Sequence, residues 1–231
     1  MKRSHDEIYL KENNKSVKQA FIEVADEIER APFQTLADVG CATGACPRYL
    51  KSRFPNAKII GVEYLESLLT KAQKDFPDIN FYKGNVLNKE SISEKFDVIT
   101  MLGVLAIFDN YKKVLDNVIS WLNPKGRLII HSMVSEHDVD VFIKYKSSSL
   151  EYDSDVLESG WNIISSKSLS EVALANNAKV TSSKPFMFNF DLDKQQDVMR
   201  SWTELNSNGG RDFFNALHIR QPQRIVTIEK Q

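Results

Sequence analysis

Along most of the chain, short runs of apolar residues alternate with stretches in which apolar positions recur every three to four residues. The segments 35–40, 58–63, 79–86, 96–102 and 127–133 are nearly continuously apolar, as strands buried on both faces of a parallel sheet must be. Between them, 47–53, 65–76 and 111–122 carry the helical period. Ahead of the first strand, Ile8, Val17, Phe21, Val24, Ala25 and Ile28 predict a helix over 5–30, closed by Pro32. Strand and helix in strict alternation predict an α/β fold. It is a mostly parallel sheet with right-handed crossovers and helices on both faces.

After Met133 the regularity lapses. Residues 134–167 are polar and serine-rich, with Tyr145, Tyr152 and Trp161 embedded in them. Ser168-Leu-Ser-Glu171 reads as a capping box that opens a short helix to Asn177. Strands are expected over 179–190 and 224–230, separated by a second irregular stretch, 191–223. A bare α/β scaffold requires neither stretch. The expectation is one domain over 1–231, with 1–34 as an N-terminal helical segment and both insertions on the substrate side.

Composition narrows the class without naming it. A hydrophobic share of 42% and a charged share of 26% are those of a globular chain. A net charge of −1 and a pI near 6.4 supply no general attraction to nucleic acid or to an anionic membrane. The polar N-terminus does not read as a leader, and no apolar run has the length of a membrane span. Cys41 and Cys46, the only cysteines, lie in one segment and cannot form a disulfide framework, which points to the reducing cytoplasm. Neither has a nearby histidine to make a nucleophilic pair, and the four histidines lack a metal-ligand spacing.

The chemistry concentrates at the end of the first strand, Ala37-Asp38-Val39-Gly40, which runs into Cys41-Ala42-Thr43-Gly44 and then a helix. Gly40 and Gly44 allow a sharp turn and close approach to a ligand. N–H groups at the helix start offer donors to an anionic group. The second strand ends at Glu63, whose carboxylate can accept both hydroxyls of a ribose at the crevice beyond the strand. Two cofactor classes use such a turn. A dinucleotide site would read Gly40-x-Ala42-x-x-Ala45 as a degraded glycine motif. An acid two residues before the first glycine instead suits a cofactor with an ammonium group, because Asp38 would repel a pyrophosphate.

The runs LADVGCATG, IIGVE, KGNVLN, FDVITMLGVLAIF and NPKGRLII, in this order, resemble the motif series of the class I S-adenosylmethionine (SAM)-dependent methyltransferases. The resemblance covers roughly 35–133. It implies a Rossmann-like seven-stranded sheet whose last strand is antiparallel and inserted beside the strand 179–190. It also implies SAM as cofactor and S-adenosylhomocysteine as product. Asp38 and the turn Gly40, Cys41, Ala42 and Gly44 would hold the methionine end, and Glu63 with Tyr64 the ribose. Asn85 and Val86 would meet the adenine, and Leu102 and Gly103 would line the methyl-transfer crevice. Ala42 stands where a glycine is usual, and Asn85 where an aspartate is frequent.

The acceptor is less sharply drawn. After the fourth strand the chain reads Met101-Leu102-Gly103-Val104-Leu105, without the N/D-P-P-Y/F-type motif of enzymes that methylate adenine or glutamine amides. A small molecule remains, methylated on an alcohol, a carboxylate or an amine. His131, at the end of the fifth strand, is the candidate general base, with His218 as its rival. In the insertions, Tyr145, Trp161 and Trp202 stand among Arg200, Arg211 and Arg220, a mixture suited to a ring or sugar bearing phosphate or carboxylate. Gly160-Trp161-Asn162 and Arg200-Ser-Trp202-Thr203 are similar to segments of small methyltransferases encoded with bacterial surface-polysaccharide genes. That similarity implies a phosphorylated or nucleotide-linked sugar as acceptor. Two other readings stay open: a nicotinamide-dependent oxidoreductase, and a SAM-binding protein without turnover.

Overall fold

The computed structural model describes residues 9–11, 16–146, 157–196 and 199–231. The helix Gln19–Ile28 (α1) precedes five βα-type strands, Thr35–Val39 (β1), Lys58–Glu63 (β2), Asn80–Lys83 (β3), Phe96–Leu102 (β4) and Leu122–Ser135 (β5). The crossovers are Ala45–Arg53 (α2), Glu66–Asp75 (α3) and Tyr111–Ser120 (α4). Three two-residue strands follow, Lys144–Tyr145 (β6), Glu158–Ser159 (β7) and Ile164–Ser165 (β8), then Ser166–Ala175 (α5) and Ala178–Pro185 (β9). A hairpin of Trp202–Leu205 (β10) and Arg211–Phe214 (β11) leads into the final strand, Gln223–Lys230 (β12).

The sheet runs β3-β2-β1-β4-β5-β12-β9, with β8 added at the end of β5. Strands β1 to β5 pair in parallel, and β12 lies antiparallel between β5 and β9. This is the expected Rossmann-like order, with the antiparallel last strand inserted beside β9. Its centre is dry on both faces. On one side Ile99, Met101, Leu128 and Ile130 pack on the apolar face of α4. On the other, Leu36, Val98 and Ile129 pack against Phe21, Val24 and Ile28 of α1 and Leu50 of α2. Registration fixes the working edge. Asp38 of β1 lies opposite Thr100 of β4, and Leu102 opposite His131 of β5.

Several expected boundaries move. The predicted helix over 5–30 starts only at Gln19. Residues 16–18 are extended, and 5–8 and 12–15 lie outside the described residues. The helix is secured further along. Arg127 of β5 donates to the carbonyls of Glu27, Ile28 and Ala31, satisfying the orphan acceptors at its C-terminus. The third strand shrinks to four residues, and the strand expected over 179–190 ends at Pro185. The cap of α5 is Ser165, whose side chain accepts from the Ser168 N–H at 3.1 Å, so the helix begins ahead of the predicted capping box. The fifth strand continues through His131 to Ser135, because β8 and β12 both offer it partners there. His131 therefore does not end its strand, although it stands level with the end of β4.

Candidate functional site

The turn between β1 and α2 is wound tightly by its own hydrogen bonds. The N–H groups of Gly40 and Cys41 both donate to the Val62 carbonyl, at 2.8 and 3.1 Å, and the Gly44 N–H donates to Cys41 O. Gly40, Ala42 and Gly44 all adopt left-handed backbone, with φ of 75°, 49° and 84°. Ala42, the departure from the usual glycine, thus keeps glycine's conformation at the cost of strain. The Cys41 side chain turns away into the cluster of Leu69, Ala72, Phe76 and Phe81 under α3, leaving its backbone to the crevice.

Glu63 explains how that strain is held. Its Oε2 accepts the Ala42 N–H at 2.9 Å, while Oε1 accepts the N–H groups of Tyr64 and Leu65 at 2.7 and 2.9 Å. One buried carboxylate therefore braces the turn and the entry into α3 together. Within the turn, the Ala42 N–H is thus already taken by Glu63. Replacing Glu63 by alanine leaves three partly buried donors to find water, which should cost roughly 2–4 kcal/mol of stability in urea unfolding. An unchanged midpoint would show that the brace contributes nothing.

Asp38 lies behind the turn, buried at 2% exposure. Thr100 Oγ1 donates to its Oδ1 at 2.7 Å, and the Cys46 thiol on the first turn of α2 also donates to it. Burial outweighs these donors and, with the nearby charge of Glu63, pushes the Asp38 carboxyl up to about 7. The same burial raises both thiols, so Cys41 and Cys46 remain protonated.

Toward β3 and β4 the remaining crevice residues follow. Tyr64 is exposed beside Glu63. Asn85 Oδ1 accepts its own chain's Leu87 N–H at 2.9 Å, making an Asx turn, and the Val86 carbonyl is held by Asn117 Nδ2 at 2.8 Å. Gly103, at φ 71°, faces open space, and its N–H donates to the His131 carbonyl at 2.8 Å. The His131 ring meets Phe186 edge-on, with centroids 4.5 Å apart. Among the described residues its buried Nε2 has no hydrogen-bond partner, and desolvation pushes the imidazole down to about 4, leaving it neutral at physiological pH.

The insertions fold onto each other above this edge. Ile143, Tyr145 and Trp161 from the first pack with Met199, Leu217 and Ile219 from the second. Trp161 and Ile219 also reach Ala106 and Met133 at the ends of β4 and β5. Asn162, fully buried, ties the first insertion down: its N–H donates to Ala106 O, and its side chain bridges Ile143 N–H and Asp109. Asp109 also pairs with Lys144 and Ser159. Trp202 is buried, and its indole N–H donates to Glu204. The arginines are not equivalent. Arg211 forms a two-pronged pair with Asp191, and Arg220 pairs with Asp212 at 2.9 Å. Arg200 lies over the ring of Tyr9, 5.3 Å from its centroid. His218 is exposed at a left-handed position between Leu217 and Ile219. His5 and Tyr152 lie outside the described residues.

Thr100, the tethering role of Asn162 and the Phe186–Phe188–Phe190 series escaped the sequence reading. The aromatic series had a visible signal in its alternate spacing, which in the fold becomes a chain of edge-to-face contacts running outward from His131. Thr100 and the role of Asn162 had none, since Thr100 matters through Asp38 and Asn162 through Ile143 and Asp109, all distant in sequence. Among the described residues there is no helix long and apolar enough to cross a membrane, and no group of three His, Cys, Asp or Glu side chains that could hold a metal ion.

Residues 34–204 match a family described as a methyltransferase domain. A trans-aconitate 2-methyltransferase of Deinococcus radiodurans is 27% identical over 112 residues, covering 48% of this chain and 42% of that protein. The chain thus spans less than half the length of the curated relatives it matches. TehB from Haemophilus influenzae superposes with a TM-score of 0.58 at 15% identity, over 98% of this chain and 67% of that one. The magnesium protoporphyrin IX methyltransferase of Synechocystis, solved with SAM bound, gives 0.57 at 12% identity, over 92% and 79%. Both likenesses concern the fold.

Proposed function

The chain belongs to the methyltransferase-domain family, and from that premise we propose that it moves a methyl group from SAM to an oxygen of a small anionic metabolite. The observation that carries the cofactor assignment is the pair of buried carboxylates, Asp38 and Glu63, that back the turn after β1. A pyrophosphate brought there would face two like charges and a turn whose Ala42 donor is already engaged. The ammonium of a methionine tail meets Asp38 favourably, and the ribose hydroxyls are donors suited to the Glu63 carboxylate. Asn85 and Val86 then border the adenine, and Leu102 and Gly103 the transferring methyl group. Calorimetry should record binding of SAM and S-adenosylhomocysteine and none of NAD. Tight NAD binding with silence toward both SAM species would end this reading.

Methyl transfer from a sulfonium is a direct displacement, so the protein's work is alignment and exclusion of water. In this proposal the joined insertions, 134–167 and 191–223, form the acceptor side. His131 accepts the proton of a hydroxyl acceptor, its neutral imidazole and unpartnered Nε2 suiting that role. An anionic acceptor would be held by Arg200, Arg211 and Arg220, the last two exchanging their present pairing with Asp191 and Asp212 for it. Phosphorylated sugars fit this description. Carboxylic acids are the second reading, favoured by relatives named for trans-aconitate, a tricarboxylate. With the true acceptor in hand, Arg200→Ala should raise its KM by about ten- to a hundredfold, and His131→Ala should lower kcat, with SAM affinity kept in both. An unmoved KM would remove the anionic acceptor, and an unmoved kcat would remove His131 as base.

A further inference from the structure

We infer that Thr100, from the middle of the sheet, is a positioning residue for the cofactor's amino end: it aims Asp38 and keeps it charged. The inference rests on the SAM reading above. Asp38 and Thr100 are direct partners in the parallel register of β1 and β4, so both side chains leave the same face at the same level. Thr100 is fully buried, and its hydroxyl reaches Asp38 Oδ1 at 2.7 Å. A threonine there is isolated in composition, since Val98, Ile99 and Met101 around it are all buried and apolar. A lone hydroxyl in such a strand satisfies no packing need that valine would not meet equally well.

What faces Asp38 from every side decides what the hydroxyl does. Glu63 lies beyond the turn and opposes its ionisation. Cys46, on α2, donates a thiol hydrogen, which is weak, and Cys41 is held protonated nearby. Lys18 is the cation that acts on this cluster, and it acts through Cys46. The Thr100 hydroxyl is therefore a stronger donor to the buried carboxylate than the Cys46 thiol, and a hydroxyl bonded to an anion favours the charged form. It also fixes the rotation of the carboxylate that a ligand ammonium would meet. Without Thr100, Asp38 titrates higher and meets the cofactor as a neutral acid at pH 7.

The experiment compares two ligands that differ at the amino-acid end. S-Adenosylhomocysteine carries the ammonium, whereas 5′-methylthioadenosine lacks the whole amino-acid tail. Their affinities are measured by calorimetry between pH 5.5 and 8 on the wild type, Thr100→Val and Thr100→Ser. The wild type should prefer S-adenosylhomocysteine by a ratio that rises with pH as Asp38 ionises. Thr100→Val should move that rise upward by about one pH unit, lowering the ratio roughly fivefold at pH 7. Thr100→Ser, which keeps the hydroxyl, should follow the wild type. Equal weakening of both ligands by Thr100→Val would mean a structural role only and would overturn the inference, as would an unshifted ratio. Thermal unfolding of the free variants separates misfolding from either result, and the serine variant tests the hydroxyl even if the valine variant fails to fold. If the wild type binds neither ligand, the SAM reading itself is wrong. If it binds both with a ratio independent of pH, that reading stands and the inference about Thr100 falls.

Discussion

Gly40→Val should abolish cofactor binding and destabilise the chain severely, on the order of 3 kcal/mol or more. Two independent penalties act at this residue. Its φ of 75° lies where a β-branched side chain is seldom found. A Cβ built there would stand 2.3 Å from Val104 Cγ2, far inside contact distance. The sequence suggested that glycine is needed for room beside a ligand. The structure shows that the closer neighbour is the protein itself, in the turn after β4. Relief can come only by moving Val104, which packs in the same core as Leu105 and Val114, or by unwinding the turn that Glu63 braces. Gly40→Ala isolates the two penalties, since it carries the same Cβ without the branch. Combined with Val104→Ala, it should recover part of the stability lost in urea unfolding, the remainder being the backbone term. If Gly40→Val unfolds at the wild-type midpoint, the turn is not packed against β4 in this way.

The order of strands and helices was legible because burial on both faces of a parallel sheet leaves a plain mark: five apolar runs with amphipathic stretches between them. The placement of β12 was legible only through family resemblance, for nothing in Arg224–Lys230 itself says that it inserts between β5 and β9. The cofactor turn could be read because its glycines and acids are neighbours in sequence. What could not be read were pairings at long range. Glu63 appears in the sequence as a strand-end acid, and its hold on the Ala42 N–H depends on β1 and β2 being adjacent. Arg211 and Arg220 appeared as free forks because Asp191 and Asp212 gave no periodic signal of their own. The helix expected over 5–30 failed for a local reason. Val17 has the helical spacing but is exposed, and the apolar face meets the sheet only from Phe21 onward.

Asp38→Asn should act in opposite directions on stability and on binding. In the unfolded chain this carboxyl ionises near its ordinary 3.8, whereas burial in the folded chain holds it at about 7. Between those values the folded state binds the extra proton, so stability falls as pH rises through the window, and the loss is complete above about 7. At about 1.4 kcal/mol for each pH unit, the charged carboxylate costs the fold a few kcal/mol at pH 8. Asparagine is uncharged at every pH, keeps an oxygen for the Thr100 hydroxyl, and is nearly isosteric. The variant should therefore match the wild type at pH 4 and exceed it by roughly 1–4 kcal/mol at pH 8, an upward Tm shift of about 2–4 °C for each kcal/mol. It should also bind S-adenosylhomocysteine about ten- to a hundredfold more weakly at pH 8, because the ammonium loses its buried counter-charge. Sites that hold a charge out of water for a ligand sacrifice stability in this manner. Thermal melts at the two pH values, with calorimetry on the same samples, decide the matter. A variant equally stable relative to wild type at both pH values would show that Asp38 is not desolvated as its burial implies. A stabilised variant with undiminished affinity would place the ammonium elsewhere.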